Sequence, residues 1–525
     1  MNPTRKEFFL FVLAATLILV WSSVPNWSGY AAQNDKSVFA GTYFDAPDYA
    51  VHIAMMRTGM EGAWGYNLRF TTEPHTTGYI RMFYIILGEM NRLPRIDPVI
   101  FFQIARWIFG YTALYSILLL IKRTFDNPRW QWLAFLLAVF GAGLGWLQIT
   151  FNMIPGIVAP VDLWLIDAYV MFSLSLFPHF AFTLTLMCLG LIFFLDFLKD
   201  GSRSGIPVTI AAAILVQFVN PIAFIVIDIS MATAAVIKWV KLRKINAIEF
   251  AALALIAVAQ VPLLVYNFLL LSKDPIWSEF TAQNLTLSPP PVYYLWGFGI
   301  FWPLAIAGAV RAIRELHTIL LASLAWVVVA FALAYAPFGI QRRFLLGITI
   351  PLSLLAITGL KDTLQFISQK NAWLARRASG LALTIVLFSS ITTFALMPEF
   401  SLYLQSRPEK YFYPRQLVAA LDWISANTQP DDFVLGAERT GEFVAQVTGR
   451  RVFIGHEMET LNYNAKTDLV KQFYSGNLPQ DWLSQYPVQW VVYGPYEQAV
   501  ASNFKPGAEL ELVFQNNSVQ IYRKR

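Results

Sequence analysis

Asp45 and Asp48 stand either side of Ala46-Pro47, and His52 follows Asp48 by four residues. Pro47 suits a first helical turn, and an acid in that turn complements the helix dipole. Val51, Met55 and Met60 recur at near-helical spacing, so the run after Asp45 reads as a helix with Asp48 and His52 on one face. Two carboxylates this close suit general-base work or metal binding. The plainer alternative is that Asp45 caps the helix and Asp48 decorates its first turn. His52 alone reads more readily as a packed or surface histidine. Glu73-Pro74-His75 marks a loop. Residues 76–91 then read as a second, amphipathic helix, with Tyr79, Met82, Phe83, Ile86 and Leu87 apolar. Two helices lying at a membrane surface would suit this segment.

The surroundings of these residues are apolar. Only 14% of the 525 residues are charged, against roughly a quarter in a soluble protein, so much of the surface must face something other than water. Apolar runs long enough to cross a bilayer fall at about 8–21, 99–121, 130–149, 174–198, 248–271, 292–310, 319–336, 344–360 and 381–397. The stretch 206–240 is too long for one span and reads as two, turning at Asn220-Pro221. The expectation is an α-helical polytopic membrane protein of about eleven spans. The first run resembles a signal peptide, but Trp21 and Trp27 follow it as interfacial anchors and no small-residue cleavage site does, so it reads as a retained helix.

Charge orients the spans. Lys122, Arg123, Lys199, Arg203, Lys241, Arg243, Arg311, Arg314, Lys361 and Arg376 fall in alternate loops, while the loops at 155–167 and Asn220 carry no Lys or Arg. This asymmetry puts the N-terminus in the cytoplasm, and an odd number of spans puts the C-terminal segment outside. The net charge of +6 is explained by these orientation signals better than by nucleic-acid binding. A single cysteine, Cys188, excludes internal disulfides and CxxC metal sites. Two domains are expected: a membrane domain over 1–397, with a large first exterior loop at 24–98, and a soluble domain over 398–525. In the latter, alternating helices and strands predict a small α/β fold. It has no Gly-rich phosphate loop, and Gly455-His456-Glu457 is not a zinc signature.

A short cytoplasmic start, one span, a long exterior loop opening with acids, many further spans and an exterior α/β domain resemble the GT-C class of membrane glycosyltransferases. Similar members are the protein O-mannosyltransferases, the lipid A aminoarabinose transferase and glycosyltransferase family 39-like bacterial proteins. The resemblance covers about 6–397 and is one of architecture more than of motif. It implies transfer of a hexose or pentose from a polyprenyl-phosphate donor to a lipid, glycan or protein acceptor, at the exterior face of the plasma (inner) membrane. It implies that Asp48 or Asp45 is the base, although the intervening Ala46-Pro47 departs from the adjacent acid pair of several members. A second exterior acid would be Asp162 or Asp167, each of which also reads as a polar rim at a helix start. His52 would support Asp48 from the next turn. Arg342 and Arg343 would hold the donor phosphate, since paired guanidiniums suit phosphate; contact with lipid headgroups is the alternative. The loop Ser288-Pro289-Pro290-Pro291 with Tyr293, Tyr294 and Trp296 reads as a stiff interfacial anchor or as part of a lipid or sugar site. No cofactor, metal or nucleic-acid partner is expected. The competing readings are a transporter, which should show charges buried in mid-span, where Asp228 is the main one, or a non-catalytic protein of envelope assembly.

Overall fold

The computed structural model describes residues 4–153, 159–479 and 481–525, so residues 155–158 of the loop expected at 155–167 lie outside it. The chain divides into two compact units: Met1–Val24, Ala105–Leu264 and Thr286–Phe400 form one; Pro25–Ile104, Val265–Leu285 and Ser401–Arg525 form the other.

In the described residues, seven helices are long and apolar enough to cross a membrane, or nine if each of two bent pairs is one span. Against the expected eleven spans, two further apolar helices, Arg203–Val219 and Thr318–Leu333, are shorter than a full span. One helix ends at Val219 and the next starts at Ala223, so the turn at Asn220-Pro221 is where the proline places it. Two of the expected spans are broken. Pro128–Phe140 meets Gly145–Phe151 at 52°, and Pro291–Phe298 meets Phe301–Glu315 at 87°. Backbone groups freed by a break need partners where water is scarce. These breaks supply some of their own: the Leu144 amide donates to the Trp296 carbonyl at 2.9 Å. Gly299 turns the second break with φ +44°, a conformation glycine adopts without steric cost.

Close helix packing in this unit depends on missing side chains. A Cβ on Gly308 would lie 1.9 Å from the Leu355 carbonyl oxygen, and one on Gly359 would lie 2.0 Å from that of Leu304. Small residues are how helices approach in lipid, where apolar burial drives nothing. The mid-span Asp228 accepts a hydrogen bond from Gln260 Nε2 at 2.7 Å.

The second unit is built around helices α1 (Ala46–Met60) and α2 (Phe83–Asn91). They too cross on glycines, with Gly59 against the Ile85 carbonyl and Gly88 against that of Met56. The expectation of two amphipathic surface helices is corrected here. α1 buries Val51, Ile53, Ala54, Met55 and Met56 completely and is a core helix. The second helix begins at Phe83 rather than residue 76, because Arg81 sits in the left-handed region at φ 57° and interrupts any earlier start. Strand β1 (Ser37–Phe39) pairs antiparallel with β2 (Phe412–Pro414). Helices α3 (Arg415–Asn427), α4 (Glu438–Thr448) and α5 (Tyr463–Tyr474) alternate with a sheet of order β4-β3-β5-β7-β6. Its strands are β3 (Phe433–Leu435), β4 (Arg451–Val452), β5 (Val488–Tyr493), β6 (Leu510–Gln515) and β7 (Gln520–Lys524). β3 runs parallel to β4 and β5, and β7 antiparallel to β5 and β6. Phe433, Leu435, Phe453, Tyr474, Trp482 and Val491 fill the core beside it.

Candidate functional site

In the second unit, Asp45 takes the N-cap position of α1, but with φ 49°, ψ 54° and without capping the helix through its side chain. Aspartate tolerates this left-handed backbone better than most residues do. One turn on, Asp48 Oδ1 lies 2.9 Å from His456 Nε2. Asp48 keeps a third of its side chain exposed, while His456 is almost wholly buried behind it. The amide of Met458 donates to His456 Nδ1 at 2.9 Å. Nδ1 is therefore an acceptor, and the proton of the neutral ring sits on Nε2, where it is given to Asp48. Burial pulls the His456 pKa down. The hydrogen bond and charge of Asp48, helped by Glu459 and Glu442, more than offset this, and the net displacement is upward.

A second group of polar side chains lies around this pair. Glu459 accepts from Arg81 at 2.6 Å and from the Tyr66 hydroxyl at 3.0 Å. Burial and the Glu459 charge hold the Tyr66 phenol well above its ordinary pKa, so it remains a donor. Glu442 of α4 pairs with Arg439. His52, expected to support Asp48, is buried with its ring stacked on Tyr84 at 4.1 Å, and Tyr84 stacks in turn on Phe102. In the sequence His456 stands out only as part of a segment that fails as a zinc signature. Its partner lies 408 residues away, and no periodicity reports such a pairing.

The membrane unit gathers the other expected residues. Asp162 is sealed, with Oδ2 accepting from the amides of Gly143 and Gly145 at the first helix break. Burial pushes its pKa up to about 7, and those amides only partly oppose the rise. It closes a turn rather than rimming an exterior surface. The loop bearing Asp167 is tied to Gly347 by that residue's amide, which donates to the Asp167 carbonyl at 2.8 Å. The proline-rich loop joins the arginine turn Gln341–Leu345: Arg342 N donates to Thr286 O at 3.0 Å, and Ser288 N to Gln341 Oε1 at 3.0 Å. The Arg342 guanidinium lies 5.2 Å over the Trp164 ring. Among the described residues neither Arg342 nor Arg343 has a carboxylate partner, and no three His, Cys, Asp or Glu side chains converge as metal ligands would.

No family model matches the sequence, and no curated protein does. Solved structures do. ArnT from Cupriavidus metallidurans, bound to undecaprenyl phosphate, superposes with TM-score 0.51 at 13% identity over 99% of this chain and 98% of its own. The Archaeoglobus fulgidus oligosaccharyltransferase gives 0.52 at 12% identity, covering 94% of this chain and 70% of its own. The mycobacterial arabinofuranosyltransferase AftD gives 0.53 at 11% identity, covering all of this chain but 40% of its own. The chain has the GT-C fold. With its apolar helices, it is an integral, multi-pass membrane protein. Identities this low carry the fold and not the reaction.

Proposed function

We propose that the protein is a membrane glycosyltransferase, moving a sugar from a polyprenyl-phosphate-linked donor to an acceptor hydroxyl at the exterior face of the membrane. The observation that carries this reading is Asp48: a part-exposed carboxylate on a core helix, held by a buried histidine, in a chain of GT-C fold. The acceptor oxygen forms the new bond to the anomeric carbon as the bond from that carbon to the phosphate oxygen breaks. Polyprenyl phosphate leaves with the electron pair, and Asp48 takes the hydroxyl proton. A phosphate departs as a stable anion without acid assistance, so one carboxylate base is the minimum equipment. Asp45, at the N-cap of the same helix, is the alternative base. Arg342 and Arg343 are assigned to the donor phosphate: bound undecaprenyl phosphate in ArnT supports a lipid-phosphate ligand, and among the described residues these two guanidiniums have no carboxylate partner. Asp167 is assigned as a supporting acid, and His52 and Asp162 as structural supports.

The test uses purified protein with a panel of undecaprenyl-phosphate-linked hexoses and pentoses, following release of undecaprenyl phosphate by mass spectrometry. At least one of Asp48→Asn and Asp45→Asn should slow transfer by about 100- to 10,000-fold while the donor still binds. Wild-type rates in both variants and in the double variant would overturn the assignment. The charge asymmetry supports a cytoplasmic N-terminus and an exterior tail. A reporter that fluoresces only in the cytoplasm, fused after Arg525, should therefore stay dark.

A further inference from the structure

The proposed reaction leaves unexplained why the soluble C-terminal segment should bury a histidine against the base. Residues 455–460 form a closed bracket. The His456 carbonyl accepts from the amides of Glu459 and Thr460, at 3.1 and 2.9 Å, and the Gly455 amide donates to Thr460 Oγ1 at 3.2 Å. Gln283 Nε2 ties the carbonyls of Met458 and Thr460 from outside, at 2.9 and 3.2 Å. Within this bracket the imidazole has few ways to turn. Met458 N–H holds Nδ1, Phe70 meets the ring edge-on, and the side chain is 7% exposed.

We infer that His456 is the positioning residue of the catalytic base: its Nε2–H fixes Oδ1 of Asp48 and so orients the carboxylate that takes the acceptor proton. This inference rests on the reading of Asp48 as base and gives the C-terminal segment a part in the chemistry. The histidine occupies the buried side and the carboxylate the open side, so the aspartate meets substrate and the imidazole acts through it. A donated hydrogen bond favours the ionised carboxylate, the form that accepts a proton. The other charges facing the pair are Glu442 with Arg439 from α4, Glu459 from the bracket, and Arg81 ahead of α2; His52 lies on α1 itself. Arg81 pairs with Glu459 and Arg439 with Glu442, while the imidazole donates directly to Asp48.

The experiment has two arms. The first needs no substrate: with five histidines in the chain, His456 can be assigned by single substitution in a ¹⁵N-histidine-labelled sample. Its ring should titrate at lower pH in Asp48→Asn than in the wild type; an unchanged titration means the pair does not form in solution and overturns the inference. The second arm measures transfer against pH with the undecaprenyl-phosphate sugar panel. His456→Ala should lower kcat by about 10- to 100-fold with donor KM unchanged, and move the acid limb to higher pH. His456→Gln, which keeps an N–H at the Nε2 position, should recover most of the rate and the acid limb. An unmoved acid limb in His456→Ala, or an equal loss in Ala and Gln variants, overturns the positioning role. If Asp48→Asn and Asp45→Asn transfer normally, it is the base assignment that fails, whatever the titration shows.

Discussion

Asp48 and Asp162 are the same residue type with opposite fates. In the second unit Asp48 meets the His456 imidazole and keeps a third of its side chain open; in the membrane unit Asp162 is sealed and bonded to backbone amides. The first can meet a substrate, whereas the second can only complete a turn. Burial and partner, rather than residue type or loop position, separate the proposed base from a structural acid. The two units nevertheless share a packing device, since each crosses a helix pair on glycines.

The largest effect expected from this comparison is on rate. Asp48→Asn should lose most turnover and little stability, whereas Asp162→Asn should keep turnover; a collapse of transfer in Asp162→Asn, with folding intact, would reverse the two roles. Next come the arginines. The Arg342→Gln, Arg343→Gln double variant should bind undecaprenyl phosphate about 10- to 100-fold more weakly, as expected when charge-assisted hydrogen bonds are lost. Unchanged binding in a fluorescence or calorimetric titration would leave these residues as headgroup contacts.

The shared glycine device should cost about the same on either side. Gly359→Ala and Gly88→Ala each drive a Cβ to within 2.0 Å of a carbonyl oxygen, so each should destabilise by about 1–3 kcal/mol. Gly88→Ala should also reduce transfer, because its clash is with α1, which carries Asp48. Gly359→Ala should not.

The smallest effect concerns pH. Folding raises the Asp162 pKa to about 7, above the ordinary aspartate value near 4. Between those pH values the folded chain keeps a proton that the unfolded chain has released, so stability contributed at low pH is lost as pH rises. Melting temperatures at pH 5 and pH 8 should differ less in Asp162→Asn than in the wild type. An identical pH dependence in the two would mean that Asp162 titrates normally.

Hydropathy located the apolar helices, the turn at Asn220-Pro221 and the α/β alternation after the last of them, because each is written in neighbouring residues and needs only local physics. Sequence also singled out the segment carrying Asp45 and Asp48. It misplaced the character of that segment: α1 has apolar residues on more than one face because it is buried, and spacing alone could not tell this from a surface helix. Three features were decided by tertiary structure. The helix breaks persist because Asp162 and Trp296 satisfy backbone groups far from them in sequence. Arg81 adopts a left-handed backbone while its side chain is ion-paired to Glu459. His456 reaches Asp48 only once the chain has brought the residues between them into place. A hydrogen bond across that separation leaves no local pattern, because its energy is realised only when both partners are already held.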